Sequence, residues 1–151
     1  MGVVLVEVLA PYGALFASAF LAATLLPASS ELVLLGLLAA GRGDPVLLII
    51  AATVGNTAGS LVNWAIGRGV EVLHGRRWFP VSRERYEQAM SLFRRYGVWT
   101  LLFAWLPIIG DALTVAAGAA RVGLWRFIVL VGTGKAARYV AIVVGHAWAA
   151  G

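Results

Sequence analysis

Cysteine is absent from the chain, which excludes disulfides and thiolate metal sites and leaves the redox compartment unmarked. Charge is nearly as scarce. Asp, Glu, Lys and Arg make up 13% of the residues and hydrophobic types 61%, whereas a soluble domain holds about 25% and about 45–50%. With a mean hydropathy of +0.88, the chain belongs in a bilayer. Histidine occurs only as His74 and His146, and neither has a partner at metal-ligand spacing. No metal and no cofactor is therefore expected. A Gly-x-Ser-x-Gly elbow, a His-Glu-x-x-His helix and a P-loop are also missing, so the common hydrolytic and nucleotide chemistries have no motif here. No basic stretch precedes the first apolar run, and Glu7 stands just before it, which argues against a cleaved signal peptide. Position six is Val6 rather than the Ser or Thr of a myristoylation motif. The apolar N-terminus is expected to be part of the fold.

What charge there is lies unevenly. The 151 residues suggest one domain, and twelve basic against seven acidic residues give a net charge of +5. Seven of the twelve bases (Arg68, Arg76, Arg77, Arg83, Arg85, Arg94 and Arg95) fall in one short connection between apolar segments. That is the positive-inside pattern of a cytoplasmic loop, so nucleic acid is not an expected partner.

Val8 to Leu26, long enough to cross or nearly cross the membrane, is either a complete span or a first arm and breaks at Pro27. Leu32 to Ala40 is too short to span, since a crossing helix needs about 20 residues. After the turn Arg42-Gly43-Asp44-Pro45, Val46 to Ile66 is a full-length span. Gly55, Gly59, Asn63 and Gly67 recur along it every four residues, with Asn56 and Ser60 beside them. Such a face lets another backbone approach closely, in a second copy of the chain or within the monomer, so a homo-oligomer is one expectation. Ser82 to Tyr96 reads as an amphipathic helix, capped by Ser82, stapled by Val81 and Tyr86, and ended by Gly97. Its stripe of Tyr86, Ala89, Met90 and Phe93 opposite arginines predicts a position in the headgroup plane against anionic lipid. Val98 to Leu106 is a second short arm, broken at Pro107 and continued by Ala112 to Ala120, and Phe127 to Trp148 is the last span. Trp64, Trp99, Trp125 and Trp148 fall near span ends, where aromatic belts form; Trp105 does not.

The two halves repeat. Pro27-Ala-Ser-Ser-Glu31 (with Ser29 and Ser30) corresponds to Pro107-Ile-Ile-Gly-Asp111 (with Gly110), each followed by an arm closing in Ala-Ala-Gly, at 39–41 and 116–118. Paired interruptions in corresponding positions point to a transporter's binding site. If each pair of arms is a re-entrant hairpin, each half crosses once and the halves face opposite ways. The expected fold is therefore an all-α integral membrane protein of two inverted repeats, each a re-entrant hairpin plus a transmembrane helix. The repeats occupy about 8–67 and 97–150, joined by a cytoplasmic basic amphipathic connector at about 68–96. Broken backbone at that depth must be buried in protein or line a wet cavity.

Four ionisable residues fall within membrane depth: Glu31, Asp111, Lys135 and Arg138. A lone charge at the bilayer centre costs about 2.5–3.5 kcal/mol on insertion scales, so mutual pairing or access to water is required. Lys135 and Arg138, three apart, share a helical face. Two acids and two bases can form a neutral cluster, with Glu31 and Asp111 as protonation or coupling groups, the bases attracting an anionic headgroup and Asn56 as a further substrate or coupling candidate. On a structural reading, Asp111 caps its arm, Glu31 complements a helix dipole and Asn56 is interhelical glue. Gly110-Asp111 matches part of the Gly-Asp motif of intramembrane aspartyl proteases, but Ile108 replaces that motif's first glycine and no Tyr-Asp pair occurs. An enzyme is not expected.

Several stretches together resemble the YqaA-like branch of the DedA superfamily, also called the SNARE-associated or VTT-domain group. They are 23–31 (Ala-Thr-Leu-Leu-Pro-Ala-Ser-Ser-Glu), Gly55-Asn56, Arg95-Tyr96-Gly97, Trp105 to Asp111, and Gly134-Lys135-Ala-Ala-Arg138-Tyr139. The resemblance implies an inner-membrane protein with two facing re-entrant hairpins, in a group linked to moving lipids, including polyprenyl-phosphate carriers, often with dependence on proton-motive force. Glu31 falls on the family's first-hairpin acid. Asp111 stands where commoner branches carry arginines, and Lys135 and Arg138 would supply the missing positive charge. Three functions are in view: translocation of an anionic-headgroup lipid with proton coupling, proton-coupled carriage of a small ion or solute, and a non-transporting assembly or homeostasis factor. Membrane lipids and protons are the expected partners.

Overall fold

The computed structural model describes residues 2–24, 29–69 and 81–151, and among them every regular element is a helix. The break residue Pro27, together with His74, Arg76 and Arg77 of the basic connector, lies outside the described residues. In order come α1 (Gly2–Ala22), α2 (Ser29–Ala39), α3 (Pro45–Arg68), α4 (Arg83–Tyr96), a 3-10 helix (Gly97–Phe103), α5 (Ile109–Ala119) and α6 (Leu124–Ala150). Three of these, α1, α3 and α6, are long and apolar enough to cross a membrane. The chain is thus an all-helical protein with three membrane-length helices.

Local chemistry sets the boundaries. Asp44 is held extended by the proline after it, and its Oδ1 accepts the amides of Val46 and Leu47 at 2.9 and 3.1 Å. The Asp-Pro pair therefore caps and starts α3 in one step. Ser82 Oγ accepts from the Arg85 amide, and Gly97 closes α4 at φ +65°. Both short helices end in a turn with a six-residue bond, Arg42 N to Leu37 O at 2.9 Å and Val122 N to Ala117 O at 3.0 Å. The left-handed residue in these turns is Gly41 in the first and Arg121 in the second, at φ +62° and +56°.

This corrects the pairing of the Ala-Ala-Gly tripeptides. Gly118 does not end the second arm but lies inside α5, where a Cβ would come 2.0 Å from the Trp64 carbonyl. Reciprocally, a Cβ on Gly67 would lie 2.0 Å from the Val115 carbonyl. Gly118 is glycine because two backbones touch there.

The glycine face of α3 is consumed in the same way. A Cβ on Gly55 would meet the Phe16 carbonyl at 2.4 Å, and one on Gly59 the Phe20 carbonyl at 2.5 Å. Close partners for this face come from α1 and α5 of the same chain, so it supplies no argument for an oligomer. Tyr12 Oη accepts from the Asp44 amide and Asn63 Nδ2 donates to the Ala23 carbonyl, both at 2.9 Å. α1 therefore runs alongside α3 in the same direction, and α2 returns toward the start of α3. Leu15, Ala19, Leu34, Leu48 and Ala52 fill the space between them. At the other end, the carbonyls of Leu102 and Trp105 meet α6 at Gly134 and Arg138, and α5 returns toward Trp64 and Gly67.

The apolar stripe of α4 also has a different neighbour from the one expected. Ala89 is fully buried, and Tyr86 and Met90 pack with it on Ala112, Leu113, Val115 and Ala116 of α5, while Phe93 joins Leu101 and Ala117. The stripe covers protein rather than lipid. A helix of this amphipathicity needs an apolar partner, and α5 is the one it packs on. Trp99, Trp125 and Trp148 are exposed as belt residues should be. Trp64 instead packs on Phe127, donates Nε1 to the Val122 carbonyl at 3.1 Å and lies under the Arg68 guanidinium.

Candidate functional site

The first turns of α2 and α5 begin at the same place. Glu31 is the third residue of α2 and Asp111 the third of α5. The midpoints of α3 and α6 meet them there, with Asn56 on one helix and Lys135 and Arg138 on the other. Together with Ser30 and the segment 104–108 they enclose a pocket of about 110 Å³, room for several waters. Glu31, Asp111, Lys135 and Arg138, the four charges expected at membrane depth, all line it.

Arg138 is the bridge between the two breaks. Its guanidinium pairs with the Glu31 carboxylate, and its Nη1 donates to the Trp105 carbonyl at 2.9 Å. One side chain on α6 therefore holds both the start of α2 and the backbone just before Pro107. Each partner remains about a fifth exposed, at 23% for Arg138 and 21% for Glu31, so the pair is reachable.

Lys135 is buried and solves its burial with neutral acceptors. Its Nζ donates to Asn56 Oδ1, to the Asn56 carbonyl at 3.2 Å and to Ser60 Oγ. An ammonium only donates, so Asn56 must turn its oxygen toward Lys135. Its Nδ2 is thereby aimed at Tyr139 Oη, which it reaches at 2.9 Å. Tyr139 Oη in turn bonds Ser30 Oγ at 2.9 Å. A continuous chain of hydrogen bonds thus runs from α6 through α3 and back to the first turn of α2.

Asp111 stands apart from this network. Among the described residues no side chain hydrogen-bonds or ion-pairs with its carboxylate; Lys135 acts on it through charge. Nor is it the cap of its arm. The N-cap position is Ile108, whose side chain makes no capping bond. Ile108 has φ +73° and ψ −58°, and Ile109 N donates to the Pro107 carbonyl at 2.8 Å across it. That is a γ-turn of the strained hand, rare for a β-branched residue. Strain of about 1–3 kcal/mol is thereby stored at the pocket's edge.

Pro107 lines the pocket beside Ile108, whereas Gly110 lies behind it, so close to the Ala104 carbonyl that a Cβ would come within 2.3 Å. Ser29 faces α1, with Oγ 3.5 Å from the Ser18 carbonyl. Tyr139 and Ser60 are members of the site that residue chemistry alone did not single out. The available signal was register: Tyr139 follows Lys135 by four residues and Ser60 follows Asn56 by four, each pair sharing a face. Among the described residues no cluster of three His, Asp or Glu side chains could hold a metal.

Residues 26–147 match the family model of the VTT domain. The chain is 42% identical to "Inner membrane protein YqaA" of Escherichia coli K12 and to the Shigella flexneri protein of the same name, with 85% of each chain covered. It is 37% identical to an uncharacterized protein of Haemophilus influenzae, covering 85% of this chain and 83% of that one. No solved structure matches it. With the family model covering most of the chain and relatives of this similarity, the chain belongs to the VTT-domain family of the DedA superfamily and is an inner-membrane protein.

Proposed function

We propose that the chain carries a lipid with an anionic, phosphate-type headgroup across the inner membrane, in exchange with or alongside protons. The observation that supports this reading most is the pocket where Glu31, Asp111, Lys135 and Arg138 meet at the midpoints of α3 and α6. Burying four charges there is costly, and a purely structural purpose would be met by apolar packing. The helix starts of α2 and α5 add their positive dipole ends to the same point.

Charge accounting supplies a mechanism. With both acids ionised, the two bases are matched. Protonation of Glu31 removes the partner of Arg138 and leaves the cluster one positive charge in excess. The freed guanidinium can then hold a phosphate oxygen pair in its fork. Release of the proton restores the Glu31 pair and expels the headgroup. Asp111, with no contacting side-chain donor among the described residues, is a second group able to take up a proton.

In this reading the segments before and after each break are re-entrant hairpins, the α1–α2 pair entering from the side where α3 starts and the other from the opposite side. The connector with Arg83, Arg85, Arg94 and Arg95 is cytoplasmic by the positive-inside rule. Cysteines introduced at Gly41 and Arg121 of the otherwise cysteine-free chain should label from opposite faces of oriented vesicles. Labelling from one face would remove the inverted arrangement.

A small-ion carrier is a second reading, favoured by the modest size of the pocket. Proteoliposomes with fluorescent lipid-phosphate in one leaflet, assayed with a membrane-impermeant quencher, separate the two. Lipid movement is expected, accelerated by an inward proton gradient and lost in Glu31→Gln/Arg138→Ala. Movement unchanged by that double substitution would sink the assigned site, and ion flux without lipid movement would favour the second reading.

A further inference from the structure

Glu31, Trp105 and Arg138 line not one cavity but two. Besides the inner pocket they form the edge of a groove of about 470 Å³ on the outer face of α6, completed by Ala137, Ala141 and Ile142. The Glu31–Arg138 ion pair is therefore the partition between a polar interior and an apolar surface. Ala137 and Ala141, one turn apart, are small on a helix whose neighbouring Val140 and Val144 stand out at 44% and 50% exposure. The floor from Ala137 to Ile142 runs about 7.5 Å along the helix axis, a length suited to several methylene units.

We infer that this groove seats a hydrocarbon chain of an anionic lipid whose head is taken by Arg138, so that the Glu31–Arg138 pair is a lateral gate. The inference rests on the function proposed above and specifies its entry route. Three features select this occupant. The groove sits on a membrane-length helix, where hydrocarbon is the surrounding medium. Its charged rim is the Glu31–Arg138 pair, whose arginine can take an anionic head when the Glu31 carboxyl is protonated. It is continuous, through that same arginine, with the pocket containing the second base. A head entering there passes through the polar interior while its chains remain in the bilayer, whereas a water-soluble substrate would have no use for a groove on this face.

Photo-crosslinking in nanodiscs of mixed zwitterionic and anionic phospholipid tests the gate without depending on transport. With p-benzoylphenylalanine replacing Ala141, adducts should be enriched in the anionic lipid roughly fivefold over those formed when the same group replaces Val129, the factor expected for one basic group near a lipid head. Val129 is exposed on the same helix but does not line the groove. Arg138→Gln should abolish the enrichment. Should that variant not fold, Ala137→Trp, which fills the groove, should reduce the adduct at position 141 instead. Equal anionic content at both positions, or no lipid adduct at 141, overturns the inference. Enrichment without lipid translocation keeps the groove and removes the transport reading; translocation without enrichment removes the groove alone.

Discussion

The two short helices make an instructive pair. α2 and α5 each have eleven residues, begin at the same pocket and carry an acid at their third position, yet eight residues of α5 are buried and only two of α2. Composition explains the difference. α5 presents Gly110, Ala112, Ala116, Ala117 and Gly118, small enough for α3 and α4 to close on it from two sides. α2 presents leucines and valine around Gly36, where a Cβ would meet nothing within 4 Å. One helix is clamped by backbone contact and the other is tethered, through Ser30 to Tyr139, Glu31 to Arg138 and a few leucines. In the gate proposed above, α2, which carries Glu31 and has less of its surface packed, is therefore the element expected to move, while α5 supplies a fixed wall.

Four substitutions would break or sharpen that contrast. Gly118→Val should have the largest effect, because its side chain would be driven into the Trp64 carbonyl. A loss of about 3 kcal/mol or more is expected, seen as aggregation on size exclusion or as a much lower melting temperature in detergent. Tyr139→Phe removes the hydroxyl shared by Ser30 and Asn56, at a cost of about 1–2 kcal/mol. Its signature is faster hydrogen exchange in α2 with α5 unaffected; equal acceleration in both would contradict the tether. Ile108→Gly relieves the positive φ at the head of α5 and should raise stability by about 1 kcal/mol net of glycine's backbone entropy, so a lower melting temperature would argue that the Ile108 side chain matters more than the strain. Gly36→Ala should be mildest, a gain of about 0.5–1 kcal/mol from helix propensity with no clash. A destabilised Gly36→Ala would mean that α2 is in backbone contact with something after all.

Much of this was legible in the residues. Asp44-Pro45 and Ser82 mark helix starts where the structure has them, and Gly97 marks an end. The charges were identified as a group because their cost in hydrocarbon depends only on residue type and local hydropathy. Which acid meets which base was not legible, since Arg138 could have paired with either. Only the folded arrangement gives it Glu31 and leaves Lys135 to Asn56 and Ser60. The role of Tyr139 was hidden for the same reason: a tyrosine in a span is unremarkable until its hydroxyl has two partners.

The sequence by itself determined the two full-length spans at 46–66 and 127–148, the amphipathic helix between them, the paired proline-acid breaks and the family, while the structure added a third membrane-length helix in α1. The spans, helix and breaks rest on periodicity, capping and hydropathy, which are properties of neighbouring residues, and the family rests on the resemblance of several motifs taken together. Tertiary structure alone decided that the stripe of α4 lies on α5 and that the glycines of α3 receive α1 and α5. It also decided that the ion pair divides an inner pocket from an outer groove. The physical reason is that hydrocarbon and leucine are equally apolar. An apolar face therefore declares that it avoids water but not whether protein or lipid will cover it, and that choice is made only when the helices pack.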